Sequence, residues 1–596
     1  MTETARWAVA GQVVAVILSA ATAGPAAAAP AISPAPGTPD ASPQTQISVL
    51  GVRFALIRSV TAAGSVSGAH DGRLRRYSGQ RGASFVPVKP FAQGERVSVT
   101  VRIQGRRPSR FSFTVARLGA TQSTLNIPAR QPAKLQQFIS APGLAPPRIT
   151  VLKADPADES DVFLTPLPSP IVHPGSNNVV TISPVGPGGP MIVDGRGNLV
   201  WFRQLAPPNV AANLRLQRYA GRTVLTWWQG PVTPQAFGLG EGVIADSSYR
   251  TIATVHAGNG YPMDIHELTL TPDGDALFTI YSPVLAHLPG TPVGKLSPLL
   301  DSIVQEMDVR TGLVVWEWHS YGHIPLDDSY ATPANSSSYD AFHLNSIQWL
   351  PGGRVLVSAR DTSALYEIER SGARVLWTLG GKASSFRLAR GARFWFQHDA
   401  QMLPNGNLSL FDDEAGPPEK APSSRGLVLK LDRMRRTATV VRELRRSADT
   451  SAQSEGSLQM LPNGNLFAGF GAQPFFSEYS PRGRLLFDAS LPQDDGSYRA
   501  YRFPWQATPR TRPDVAVRRA GPSSVSVYAS WNGATEIAGW QVLAGSAAGS
   551  LAPVATARKT GFETAIDVNS SATSFAVRAL GAHGRVLSTS ATVGAS

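Results

Sequence analysis

The chain reads as an all-β protein: a six-bladed β-propeller preceded by a small β-sandwich and followed by a fibronectin III- or immunoglobulin-like β-sandwich. Three observations predict this. The 596 residues include 55 glycines and 48 prolines, which punctuate short runs rich in Val, Thr, Phe and Trp, the composition of strands and turns. One strand-turn-strand phrase recurs four times, as Leu270-Thr-Pro-Asp-Gly-Asp, Leu350-Pro-Gly-Gly, Leu403-Pro-Asn-Gly-Asn-Leu and Leu461-Pro-Asn-Gly-Asn-Leu, the signature of a repeat fold. Strict apolar/polar alternation flanks that region, in Arg96-Val-Ser-Val-Thr-Val-Arg-Ile and again in Ser524-Val-Ser-Val-Tyr-Ala, as in sheets with one wet face.

Taken in order, residues 1–29 carry an apolar stretch from Trp7 to Gly24 and then Pro-Ala-Ala-Ala-Ala-Pro, which reads as a signal peptide cleaved near Ala28 or Ala29, or else as a retained anchor. Residues 30–46 form a Pro/Ala-rich stretch expected to be a mobile linker. Residues 47–117 alternate as a small β-sandwich, and 118–147 form a second, Pro-rich linker. Residues 148–507 hold the repeats; about 360 residues at roughly 45–60 per blade give about six blades. Residues 509–596 have the length and strand pattern of the closing sandwich.

An apolar share of 42% against 16% charged marks a globular chain. The absence of cysteine excludes disulfides, thiolate nucleophiles and Cys-ligated zinc. A formal charge of +13 comes from arginines scattered along the chain, so nucleic acid is not an expected partner, while association with an anionic cell envelope suits an exported protein. Secreted or envelope-associated localisation follows from the leader.

The repeated phrase also acts as a ruler. Counting six residues back from its proline gives His266, Asn345, His398 and Gly456, and the degenerate copy around Gly221 adds Asn213. His343 lies two before Asn345, on the same strand face. Seven residues after each turn glycine stand Trp228, Tyr281, Arg360, Asp413 and Gly471. If inner strands line a channel, three imidazoles, one guanidinium and an amide converge as donors suited to a small oxyanion. The fourth copy carries Gly456 and no reactive group, so the pocket is expected to be open on that side, and Asp399 and Asp413 can be read as caps of the turns. His319 and His323, in Trp318-His-Ser-Tyr-Gly-His, fall off this register. A cation would have to share the pocket with Arg360, so no metal and no cofactor are expected.

At Phe342-His-Leu-Asn-Ser-Ile, Leu356-Val-Ser-Ala-Arg360, Trp377-Thr-Leu-Gly-Gly-Lys and Phe396-Gln-His-Asp-Ala with Leu410-Phe-Asp-Asp, the chain resembles the bacterial arylsulfotransferases. The resemblance spans about Ile149 to Trp505. It implies a six-bladed propeller that moves a sulfuryl group from a phenolic sulfate ester to a phenolic acceptor without the nucleotide sulfate donor. It further implies His398 as the nucleophile, passing through a sulfohistidine in a ping-pong cycle, with His266, His343 and Arg360 as the other catalytic groups. Asn345, Asn213 and Tyr281 complete the expected substrate-binding set. The alternative reading is a non-catalytic secreted propeller that binds an anionic envelope ligand or glycan.

Overall fold

In a computed structural model the described residues are 30–120, 123–125, 135–155, 160–168, 170–172, 179–182, 188–292, 294–333, 338–415, 420–421, 423–447 and 450–595. The leader expected over 1–29 lies outside them. Strand dominates the described residues, among which helix is confined to single 3₁₀ turns such as Phe54–Leu56 and Leu326–Asp328.

Six sheets of at least four strands occupy the middle of the described chain. Sheet I comprises Val210–Tyr219, Arg222–Gly230, Glu241–Ala245 and Thr251–Val255. Sheet II comprises Leu268–Leu270, Asp275–Ala286, Ser297–Asp308 and Leu313–His319. Sheet III runs Leu344–Leu350, Arg354–Ala359, Ala364–Glu369 and Arg374–Gly380; sheet IV is His398–Met402, Asn407–Asp412, Arg425–Asp432 and Thr437–Leu444, with Arg387–Leu388 added in parallel. Sheet V is Ser457–Met460, Leu466–Gly469, Phe475–Tyr479 and Leu485–Ser490, and its outer strand, Thr150–Ala154, comes from far upstream. Sheet VI joins Tyr501–Phe503 to Asp161–Leu164, Met191–Val193 and Leu199–Phe202. Hydrogen bonding thus fastens the two ends of the region together.

Each sheet shares an apolar core with the next, and the sixth shares one with the first. Sheets covered on both faces have no reason to alternate. Leu313–His319 is accordingly buried at every position, whereas Arg96–Ile103, in a sandwich with one wet face, alternates. The repeated phrase makes the hairpin between the first two strands of sheets II to V. Gly274, Gly406 and Gly464 sit there at φ 84, 82 and 81°, a left-handed conformation that costs side-chain-bearing residues about 1–2 kcal/mol. Their N–H groups close the turns onto Thr271, Leu403 and Leu461.

Before this region, two four-stranded sheets share a core around Val49, Phe85, Val99 and Phe113. After it, sheets of three and five strands share a core around Trp531, Trp540 and Phe575. Both are tied to the middle. The hydroxyls of Tyr77 and Ser48 donate to the Val314 carbonyl at 2.8 and 2.7 Å, and the Asn532 amide exchanges two bonds with the Phe202 backbone.

The stretch 30–46 is not the mobile linker its composition suggests. Ala31–Ser33 pairs with Ile47–Leu50, Ala41 is buried, and Ser42 donates to the Asn259 carbonyl at 2.6 Å. Ser33 Oγ also accepts from the Glu317 N–H at 3.0 Å, so side-chain hydrogen bonds to the middle region hold the segment down. The second expected linker is anchored too: Leu118 bridges to Val284, and Ser140 bonds Glu563 of the last sandwich at 2.5 Å.

Candidate active site

The inner strands depart from regular pairing at the positions the ruler selects. Sheets I, III and IV have bulges at Ala212/Arg215, Leu344/Ser346 and His398/Gln401, and Asn213, His343, Asp399 and Glu455 take φ of 61, 55, 48 and 70°. A bulge turns a side chain off the pleat. Here the departures bring His266, His343 and His398 within electrostatic reach of one another.

Every one of the three imidazoles has a carboxylate on Nδ1. The distances are 2.7 Å for His266 to Asp264, 2.6 Å for His343 to Asp340 and 2.6 Å for His398 to Asp413. At His398 the tautomer follows from the other nitrogen. The backbone N–H of Glu455 donates to Nε2 at 3.2 Å, so Nε2 carries the lone pair and Nδ1 the proton. Burial, then the positive charges of Arg360 and His343, hold the His398 pKa well below the ordinary histidine value, so the ring is neutral and nucleophilic near pH 7. Burial also lowers His266, outweighing Asp264. At His343 burial acts downward but is overcome by Asp340, leaving the pKa raised and the ring the readier cation.

The partner carboxylates differ for a visible reason. Burial would raise Asp264, but His266 and the backbone N–H groups of Gly238 and His266 pull it below the usual range. Asp413 is raised well above that range by burial, and its Oδ1 finds no hydrogen-bond partner.

Arg360 pairs with Asp361 at 2.8 Å, reaches the Gln453 carbonyl at 3.3 Å and lies over the Phe396 ring at 5.0 Å. With side chains 11% and 13% exposed, Arg360 and His343 form the outer wall, whereas His398 at 2% is sealed beneath. Tyr281 sits between His266 and His343, its ring centroid 5.2 and 5.5 Å from theirs. Its hydroxyl donates to the Leu344 carbonyl, so it contributes a wall and not a free donor.

The two asparagines take another job. Asn213 donates from Nδ2 to the carbonyls of Ile265 and His266 at 2.8 and 3.1 Å, and Asn345 to that of Gln397 at 2.7 Å. They staple sheets I and III to the strands that present His266 and His398. The donor role expected of Asn213 is therefore corrected: the neighbouring backbone takes its amide hydrogens. Gly456 leaves no open side either, since a Cβ there would fall 2.4 Å from Phe411; glycine is needed because the Phe411 ring fills the position.

Sequence reasoning passed over Asp264, Asp340, Glu455, Tyr498 and Arg499 as site residues and read Asp413 as a cap. Asp413 already stood in the post-turn register beside Arg360. Tyr498 faces His266 and His398, with ring centroids 5.5 and 6.3 Å away. Arg499 is wholly buried, pairs with Glu267 at 3.0 Å and donates to the Asn345 carbonyl at 2.9 Å. No copy of the repeated phrase follows these two, so counting back from its proline could not reach them. Glu455 lies beside Gly456, and burial pushes its carboxyl up to about 8. Asp340, His343 and Asp361 stand close enough together to hold a cation, with Arg360 paired to the last of them.

Residues 215–491 match the model of the arylsulfotransferase (ASST) family. His266, His343, Arg360 and His398 all fall inside the match, and the resemblance drawn from the motifs is borne out over it. No curated protein matches the chain. Similar solved structures include a protein of unknown function from Bacteroides caccae (13% identity, 58% of this chain and 99% of that one, TM-score 0.33). Others are the GH43 protein BlXynB from Bacillus licheniformis (8%, 64% and 88%, TM-score 0.26) and the NanB sialidase from Streptococcus pneumoniae (10%, 79% and 68%, TM-score 0.26). At these scores the likeness is too weak to argue from.

Proposed function

Starting from a sheet region whose residues 215–491 match the arylsulfotransferase family, we propose that the protein transfers a sulfuryl group from a phenolic sulfate ester to a phenol through a sulfohistidine on His398. The observation that carries this reading is the geometry at His398: Nδ1 lies on Asp413, and Nε2, accepting from the Glu455 backbone N–H, keeps its lone pair toward the site. The six sheets are read as the blades of a propeller, closed by the strands shared between its two ends, with the flanking sandwiches as an amino-terminal module and a fibronectin III-like module. The leader is read as directing export.

In the first half-reaction Nε2 attacks sulfur, the N–S bond forms and the bond from sulfur to the aryl oxygen breaks. Charge on the sulfuryl oxygens is met by Arg360 and by His343, whose raised pKa makes it the readier cation, and His266 joins them as a donor only when its Nε2 takes up a proton. Asp413 accepts from Nδ1–H and holds that proton in place as imidazolium character develops on His398. Glu455, a carboxylic acid at neutral pH whose backbone touches Nε2, gives its proton to the departing phenolate. An acceptor phenol returns a proton to Glu455, attacks sulfur and breaks the N–S bond. Attack requires the Nε2 lone pair to leave the Glu455 N–H for sulfur, an exchange helped by the weakness of a 3.2 Å bond.

Hydroxyl-dependent release of 4-nitrophenolate from 4-nitrophenyl sulfate tests the reading. The wild type should turn over only when a phenol is supplied, and His398→Asn should reduce turnover to background. An unchanged rate in that variant, or a wild type inert with every phenol tried, would overturn it.

A further inference from the structure

Away from these histidines, a second cluster joins the amino-terminal segment to sheet II. Asp40 comes from the largely buried segment 38–46, Asp301 from the strand Ser297–Asp308, and Glu317 and His319 from the strand Leu313–His319. All four are buried. His319 Nδ1 lies 2.8 Å from Asp301 Oδ2 and 3.2 Å from Asp40 Oδ1, and its Nε2 lies 3.6 Å from Glu317 Oε2.

The outer oxygens of two of these carboxylates are held by the protein. Asp301 Oδ1 accepts from Ser320 Oγ at 2.8 Å and from the Tyr321 N–H at 2.9 Å. Glu317 Oε1 accepts from Asn259 Nδ2 and, at 2.6 Å, from Gln305 Nε2. Neither oxygen of Asp40 has a hydrogen-bond partner among the described residues, nor has Glu317 Oε2 or His319 Nε2. No lysine or arginine among them pairs with Asp40, Asp301 or Glu317. Three carboxylates against one imidazole leave buried negative charge uncompensated, which proteins do not tolerate without a cation or a proton.

We infer that Asp40 Oδ1, Asp301 Oδ2 and His319 Nδ1 form a site for a divalent transition cation, manganese or zinc, that clasps the amino-terminal segment to sheet II. Atoms 2.8 and 3.2 Å apart match the edge of about 3.0 Å between neighbouring ligands at about 2.1 Å from an ion with octahedral ligand angles. Mixed carboxylate and imidazole donors favour manganese or zinc over calcium or magnesium. The Glu317 carboxylate, 3.6 Å from His319 Nε2, favours a proton on that nitrogen and so the tautomer that leaves Nδ1 free to bind, with a carboxylate beyond the ligand as is usual for a metal-bound histidine. Two carboxylates neutralise the ion, and Glu317 keeps its amide donors.

The test uses the full chain and no activity assay, so it stands whatever the fate of the sulfuryl-transfer reading. The protein is loaded with Mn2+ or Zn2+, dialysed and analysed for metal, and its thermal unfolding is followed before and after chelation. The expected result is one ion per chain, a fall in Tm of at least about 5 °C on chelation, and recovery on adding either metal back. Asp40→Asn should lose the ion and its response to chelator. Co2+ loaded into the wild type should give a ligand-field absorption band, a readout that needs no variant to fold. A wild type that neither retains metal nor changes Tm with Mn2+ or Zn2+ overturns the site and leaves a shared proton as the occupant. Metal retained in Asp40→Asn overturns it as well, placing the ion elsewhere, for instance at Asp340, His343 and Asp361.

Discussion

His398, Asp413 and Glu455 form the smallest unit that would carry out the proposed sulfuryl transfer, and each has its own test. Asp413 positions His398. Asp413→Asn can turn an amide N–H toward Nδ1 and so favour the Nε2–H tautomer, which can neither accept from Glu455 nor attack sulfur. Turnover with 4-nitrophenyl sulfate is expected to fall about 10²- to 10⁴-fold with little change in KM; a loss carried by KM alone would refute the tautomer argument. For Glu455 the leaving group discriminates. Glu455→Gln should slow donors with a basic phenolate about 10²-fold or more and nitrophenyl sulfates far less. Wild-type turnover of the basic donor should decline as pH rises through about 8, where the Glu455 carboxyl loses its proton. The same group has a stability signature. Its folded pKa lies above the ordinary value of 4.5, so the stability it contributes is complete below that value and is lost as pH rises through about 8. The Tm difference between Glu455→Gln and wild type should therefore move in favour of the variant from pH 5 to pH 9, and a flat difference would show that the carboxyl is not held neutral.

Among the elements, the inner strands matter most, because a bulge and an asparagine at the same place make a staple. Asn213 and Asn345 bind the backbone that immediately precedes or includes His266 and precedes His398. Asn213→Ala would leave the Ile265 carbonyl without that donor, while the His266 carbonyl keeps Arg499 at 3.3 Å. The expected cost is about 1–3 kcal/mol, read as a lower urea midpoint at unchanged slope. The repeat phrase was legible because left-handed turns demand Gly at a fixed distance from Leu and Pro. His266, His343, Arg360 and His398 were legible for the same reason: a rigid hairpin converts sequence spacing into position. Asp264 and Asp340 were not, since they lie just before the strands on segments with no fixed period. Asn213 and Asn345 were read in the right place with the wrong role, because spacing gives position and not the hydrogen bond that a bulge creates.

For the whole molecule, closure is the controlling feature. Sheet VI takes Tyr501–Phe503 from one end of the region and three strands from the other, and Thr150–Ala154 completes sheet V. The neighbouring Tyr498 and Arg499 reach the centre of the site. A chain ending after Thr508 keeps these strands and should still unfold in one cooperative transition, although it loses the contacts of Asn532 and Glu563. A chain ending after Gln493 lacks the inner strand of sheet VI with Tyr498 and Arg499, and should show no cooperative transition by calorimetry. If the shorter chain unfolds as sharply as the longer, closure is not what holds the sheets together.

The sequence by itself determined the all-β composition, the spacing of the hairpins and the imidazoles and guanidinium they carry, because turn geometry and strand period are local properties. Only the tertiary structure decided which groups those side chains meet. Asp413 on His398 is brought there by the second strand of the hairpin, the Glu455 N–H by the next sheet, Arg499 by the closing strand and Asp40 by a segment that composition alone marks as a linker. Each of those partners is separated in the chain from what it touches, and no local propensity encodes a contact that forms only when the sheets pack.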